Sequence, residues 1–162
     1  LVIGEMDGSF SARAEGFRAA CAGGGFTCST TDKLLGVLWD KFTLVATNAA
    51  LCSVCRRTVA AIYGDSDLEA LARSIMEEIV AVATAEGAAI SPDIIESSVA
   101  LSKTFPLDMY ASMYHDLARG RRMELEGLSG QVVERGTRYG IATPRHQSLY
   151  ACLKPYMNGT SA

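Results

Sequence analysis

Between residues 34 and 55 apolar side chains recur on almost every side of a helix, with Leu34, Leu38, Val45 and Cys52 on one face and Leu35, Trp39, Phe42 and Ala46 on another. A helix patterned this way is expected to be enclosed by others. Thr31 is its expected cap, with Asp32 in the first turn, where a negative charge suits the positive helix end. A second helix is predicted from a cap at Ser66, with Leu68, Leu71, Ile75, Ile79 and Val82 as its buried stripe and Gly87 closing it. Ser91-Pro92 starts a third, which ends before Pro106. Two more helical stretches follow from Asp108, broken around Gly120 and ending at Gly140, and Thr143-Pro144 opens a last one to about Tyr156. The front differs. Residues 1–6 read as a strand with Gly4 and Gly8 bounding a turn, then a helix capped at Ser9 or Ser11 runs to Ala22, where Gly23-Gly24-Gly25 stops it, and Phe26 to Ser29 forms a second short strand. The class is mainly α, a multi-helix domain with a minor strand pair.

Composition narrows the function. The 162 residues suffice for one domain, 49% are apolar and 20% charged, and the net charge of −3 argues against nucleic acid as a partner. The five cysteines are odd in number and lack a framework spacing, which favours a reducing, cytoplasmic setting. Cys52 and Cys55 form a C-x-x-C inside the apolar helix, with no second pair beside it. His115 and His146 are isolated likewise, so core thiols and no metal site are the expectation. Asp40 and Lys41 would each cost about 2.5 to 3.5 kcal/mol at mid-bilayer, so a buried helix is preferred to a membrane span. No signal peptide is expected, since no charged n-region with an apolar h-region stands at the front. The first residue is not Met and falls inside a strand, as expected of a fragment. Asn158-Gly159-Thr160 is a glycosylation sequon in form only. Neither Gly4-Glu5-Met6-Asp7-Gly8 nor the triple glycine offers G-x-G-x-x-G between strand and helix, so this chain alone is not expected to hold a dinucleotide.

Lys41 is the residue that raises a chemical question. It shares a helical face with Val45, Asn48 and Cys52, in the most apolar reach of the chain. One reading lays its stem on apolar neighbours and sends the ammonium to water beside Asp40. The other makes it a general acid: partly buried, held by a distant carboxylate, and able to give a proton to an oxygen that gains negative charge. Residues 112–130 supply Ser112 and Glu124 as candidate companions. Glu124 reads equally as a solvated first-turn glutamate, and Ala118-Arg119-Gly120-Arg121-Arg122 as a wet basic face.

Taken in order, "GEMDG", "LWDKF" with Arg56 beyond it, "SMYHDLARGRRMELEGLSG", "YGIATP" and "SLYACLK" resemble the C-terminal domain of ketopantoate reductases (2-dehydropantoate 2-reductases) over nearly the whole chain. The resemblance implies a helical domain over residues 1–162, similar to the C-terminal domain of 6-phosphogluconate dehydrogenase. It also implies an N-terminal Rossmann domain of the same polypeptide that holds NADPH, and a site in the cleft between the two. Carried over, the family's catalytic lysine falls on Lys41, its active-site glutamate on Glu124 and its substrate-contacting serine on Ser112. No cofactor-binding residue is assigned in this chain. The implied reaction reduces a small 2-oxo acid, ketopantoate in pantothenate biosynthesis or a relative, and a homodimer is compatible with it. This chain departs from the ketopantoate-specific pattern, with Val45 and Ala49 at asparagine positions, Met123 for a threonine and Ser129 for an asparagine. Asn48, one position from Ala49, is the candidate substitute for substrate binding. The alternative is a non-catalytic helical interaction or dimerisation module that keeps the fold.

Overall fold

The computed structural model describes residues 1–159, so Thr160 of the sequon lies outside the described residues. The chain opens as a strand, helix, strand crossover. β1 (Val2–Ile3) pairs in parallel with β2 (Ser29–Thr30), Val2 opposite Ser29 and Ile3 opposite Thr30, and α1 (Ala12–Gly23) connects them. Ser11 is the cap of α1, its hydroxyl accepting from the Ala14 amide at 3.1 Å. The strands are shorter than the pattern suggests because each has only the other to pair with. No residue of α1 is buried.

α2 (Leu34–Cys55) is the axis of the rest, packing against α4 (Ser66–Ala85), α5 (Ile94–Ser102), α6 (Ser112–Ala118) and α8 (Pro144–Leu153). Between α2 and α4 lies the one-turn helix α3 (Val59–Tyr63). Gly36 is required by close approach, since a Cβ there would meet the Ala89 carbonyl oxygen at 2.2 Å. The expected Thr31 cap is corrected: its hydroxyl takes the Lys33 amide at 3.0 Å in a local turn, and the helix starts only at Leu34. Full enclosure is corrected as well. Every residue from Ala46 to Ser53 is buried, but Leu38 is 49% and Val45 41% exposed. α2 is long and apolar enough to cross a membrane by length and composition, and half of its apolar window is buried in this fold.

Asp65, not Ser66, caps α4, accepting from the amides of Asp67 at 2.9 Å and Leu68 at 3.1 Å. A carboxylate binds the exposed amides more strongly than a hydroxyl, and Ser66 becomes the first helical residue. Ile75, Ile79 and Val82 of its stripe are wholly buried, while Leu68 and Leu71 pack at the cluster's margin. Ser91 is drawn away from α5 to the Asp40 carboxylate, which also accepts the Ser91 amide at 3.0 Å. Asp40 is therefore spent on anchoring the loop before α5.

After Gly120, which takes φ 62°, residues 126–130 form a π-helical turn that runs directly into α7 (Gln131–Tyr139). α8 starts at Pro144 as expected, yet Thr143 does not cap it; its buried hydroxyl has no partner among the described residues. The cap comes from α4. Glu78, only 5% exposed, accepts from the amides of Arg145 at 2.9 Å and His146 at 3.0 Å. A single turn of 3₁₀ helix, Lys154–Tyr156, completes the last helical run.

Candidate active site

Two cavities lie against α2. One, of about 450 Å³, runs along Leu44, Val45, Asn48 and Ala49 and is closed by Val59, by Phe105 and Met109 in the α5–α6 loop, and by Ser112 and His115 of α6. The second, of about 490 Å³, lies between Phe42 and the segment Arg122 to Leu128, and Glu124 lines it. Ala49, Met113, Met123, Leu125 and Leu153 pack as one buried cluster beneath them. Lys41 lines neither cavity; it precedes Phe42 of the second in the chain and stands one helical turn before Val45 of the first.

Its immediate setting differs from the expectation of a half-buried ammonium clasped by Glu124. Lys41 is exposed and takes part in no ion pair among the described residues. The physical reason is the same that leaves Leu38 and Val45 open: nothing in this chain covers that face of α2. Glu124 and Ser112 are exposed too, the serine as the first residue of α6. The structure thus brings Asn48 and Ser112 to one cavity and Glu124 to another, and places Lys41 exposed on α2 in the lining of neither.

Asn48 is the most constrained of the four. It is 5% exposed, its Oδ1 accepts from the Tyr63 hydroxyl at 2.9 Å, and its Nδ2 donates to Ser102 Oγ at 3.3 Å. Burial pushes the Tyr63 phenol up to about 12, so it remains a donor across the working pH range. The amide therefore holds α2, α3 and α5 together and retains one N–H for a ligand. His115 is the site residue that sequence reasoning left aside. It lies one turn from Ser112 on α6, with its ring edge-on to Tyr110 and Tyr114. The i, i+3 spacing was a readable signal.

The C-x-x-C stays structural: Cys52 and Cys55 are free, and burial pushes both thiols up, away from the thiolate that metal or redox work needs. The front is equally unsuited to a dinucleotide. The loop after β1 carries Glu5 and Asp7, carboxylates that repel a pyrophosphate, and Glu5 is already committed to Arg13 and Ser11, which hold it down at about 2.

Comparison with known proteins gives these cavities a context. Residues 33–157 match the family model described as Ketopantoate reductase PanE/ApbA C terminal. The chain is 31% identical over 146 residues, 90% of its length, to a 2-dehydropantoate 2-reductase of Mycobacterium tuberculosis, covering 49% of that protein. It is 35% identical over 115 residues, 71% of its length, to that of Caulobacter vibrioides, covering 39% of it. Among solved structures, a PanE/ApbA family ketopantoate reductase from Ralstonia eutropha superposes with a TM-score of 0.85 at 30% identity, over 96% of this chain and 50% of that one. A 2-dehydropantoate 2-reductase from Geobacter metallireducens does so with 0.86 at 28% identity, over 95% and 52%. The chain spans about half the length of these relatives. With its fold and nearly all of its helical part matched, this chain belongs to the ketopantoate reductase C-terminal domain family.

Proposed function

We propose that this chain is the substrate-binding and proton-donating half of a cytoplasmic reductase that converts a 2-oxo acid, ketopantoate or a relative, to the 2-hydroxy acid. The observation that carries the reading is the uncovered α2 rim. Val45 and Phe42 each line a cavity, one holding Ser112 and the Asn48 amide, the other Arg122, Glu124 and Glu126, and the exposed, unpaired Lys41 precedes Phe42 in the chain and stands one turn before Val45. A carbonyl being reduced develops negative charge on oxygen, and an ammonium beside it stabilises that charge and then supplies the proton. In this reading Lys41 Nζ donates to the carbonyl oxygen, Ser112 Oγ donates to the substrate carboxylate, and Glu124 accepts from Lys41 or from a substrate hydroxyl. The remaining Asn48 N–H is the further contact. NADPH, held by an N-terminal Rossmann domain of the same polypeptide, supplies the hydride.

The front of the chain supports that second domain. Parallel strands normally sit inside a sheet covered on both faces, and a two-strand sheet alone is marginal. Here Val2 is 46%, Phe10 73%, Phe17 53% and Phe26 68% exposed, and the family match begins only at residue 33. Residues 1–32 then form the edge of an α/β domain, and the helical unit proper begins near Lys33. A homodimer is compatible with this arrangement.

The test is made on the complete polypeptide with NADPH and ketopantoate or related 2-oxo acids. Lys41→Ala should lower kcat by about 10²- to 10⁴-fold, the usual worth of a positioned acid, with cofactor affinity unchanged. Lys154→Ala, on the last turn, should leave the rate intact. Equal effects of the two would leave the chain as an interaction module.

A further inference from the structure

The cavity that Ser112 lines has a chemistry of its own. Its walls are mostly apolar, Leu44, Val45, Ala49, Val59, Phe105 and Met109, with Tyr110 the one aromatic hydroxyl among them, in a space of about 450 Å³, within the range of small-molecule sites. The polar group deepest in it, the Asn48 amide, spends its oxygen on Tyr63 and one N–H on Ser102. Of the other polar residues lining it, Ser112 and His115 are exposed and Tyr110 is half-buried, and Lys41 stands outside it, one turn before Val45. Polar mouth and apolar interior are thus separated along α2.

A 2-oxo acid has the same division, with carboxylate and carbonyl at one end and its side chain at the other. Resting on the function proposed above, we propose that the preferred substrate is a 2-oxo acid with a branched aliphatic or aromatic side chain lacking a hydroxyl, and that Val45 and Ala49 set this preference. The carboxylate and carbonyl lie at the Ser112 and Lys41 end, and the side chain extends between Ala49 and Phe105. A side-chain hydroxyl placed there loses water and finds few partners, the spare Asn48 N–H and the Tyr110 hydroxyl, whereas an apolar group loses nothing. An apolar pocket rejects an added hydroxyl by only about 10²-fold at best, so the preference is graded.

The experiment compares kcat/KM of the complete NADPH-dependent enzyme for 4-methyl-2-oxopentanoate, phenylglyoxylate and ketopantoate, in the parent and in Val45→Asn and Ala49→Ser. Both sites tolerate the change: Val45 is 41% exposed, and serine adds one atom to Ala49. The expected result is a 10- to 100-fold preference for at least one hydroxyl-free acid, reduced by tenfold or more in Val45→Asn or Ala49→Ser. A preference for ketopantoate in the parent would overturn this proposal and leave the reductase reading standing. So would a hydroxyl-free preference that neither variant alters. Reduction of no 2-oxo acid at all would overturn both.

Discussion

The two halves of α2 have similar apolar content and opposite fates. From Ala46 to Ser53 the helix is wrapped by α4, α5, α6 and α8, and even its polar residues Thr47, Asn48 and Ser53 are buried. From Leu34 to Val45 only Gly36, Trp39 and Thr43 are buried, and the flank carrying Leu38, Lys41 and Val45 faces outward. The enclosed half stabilises the fold. The open half is where a substrate and a second domain can meet, and it leaves a cation free because nothing presses against it. Hydrophobicity along a helix therefore measures how much surface is to be covered, not what covers it.

The comparison breaks most visibly at Leu51. Leu51→Ala, at a wholly buried position, should cost about 2 to 5 kcal/mol in urea unfolding. The effect of pH on the enclosed side comes next. Burial outweighs the attraction of nearby Glu78 and holds the His146 imidazole down at about 4, whereas in the unfolded chain it titrates near the ordinary histidine value of 6.5. Between those values the unfolded state binds more protons, so stability present above 6.5 falls as pH drops through 4, by on the order of 1.4 kcal/mol per unit of difference. His146→Leu should flatten that decline in a series of melting curves. Asn48→Ala should cost about 1 to 3 kcal/mol, because the Tyr63 hydroxyl is left buried without its acceptor. Losing the Glu78 carboxylate in Glu78→Ala should cost about 0.5 to 2 kcal/mol through the unsatisfied amides at the start of α8. Leu38→Ala, on the open half, should stay within about 0.5 kcal/mol, and a larger loss in the isolated chain would show that this face is covered after all.

The helices at 66–85, 94–102 and 144–153 were readable because their stop and start signals are local: Gly87 takes φ 83°, Gly140 φ 70°, and Pro144 sits in the first turn. The caps were less so. Asp65 outcompetes Ser66, and Glu78 replaces Thr143 from another helix, since a buried helix end accepts whatever acceptor the packing brings. Patterning and spacing raised Lys41, Ser112, Glu124 and Asn48 as candidates, and the family resemblance gave them roles. Periodicity put Asn48 on the face of Lys41 and Val45, but could not show that its amide ties α2 to Tyr63 and Ser102.

By itself, then, the sequence determined the helical class, the order and approximate limits of the helices, and the turns at Gly87, Gly120 and Gly140. Those depend on neighbours three or four positions apart and on backbone angles that particular residues accept. Only the tertiary structure decided which flank of α2 stays open, that Ser112 and Glu124 line separate cavities, and that the Ser112 cavity is walled mostly by apolar groups. Such outcomes are set by contacts between residues dozens of positions apart, whose pairing no local periodicity encodes.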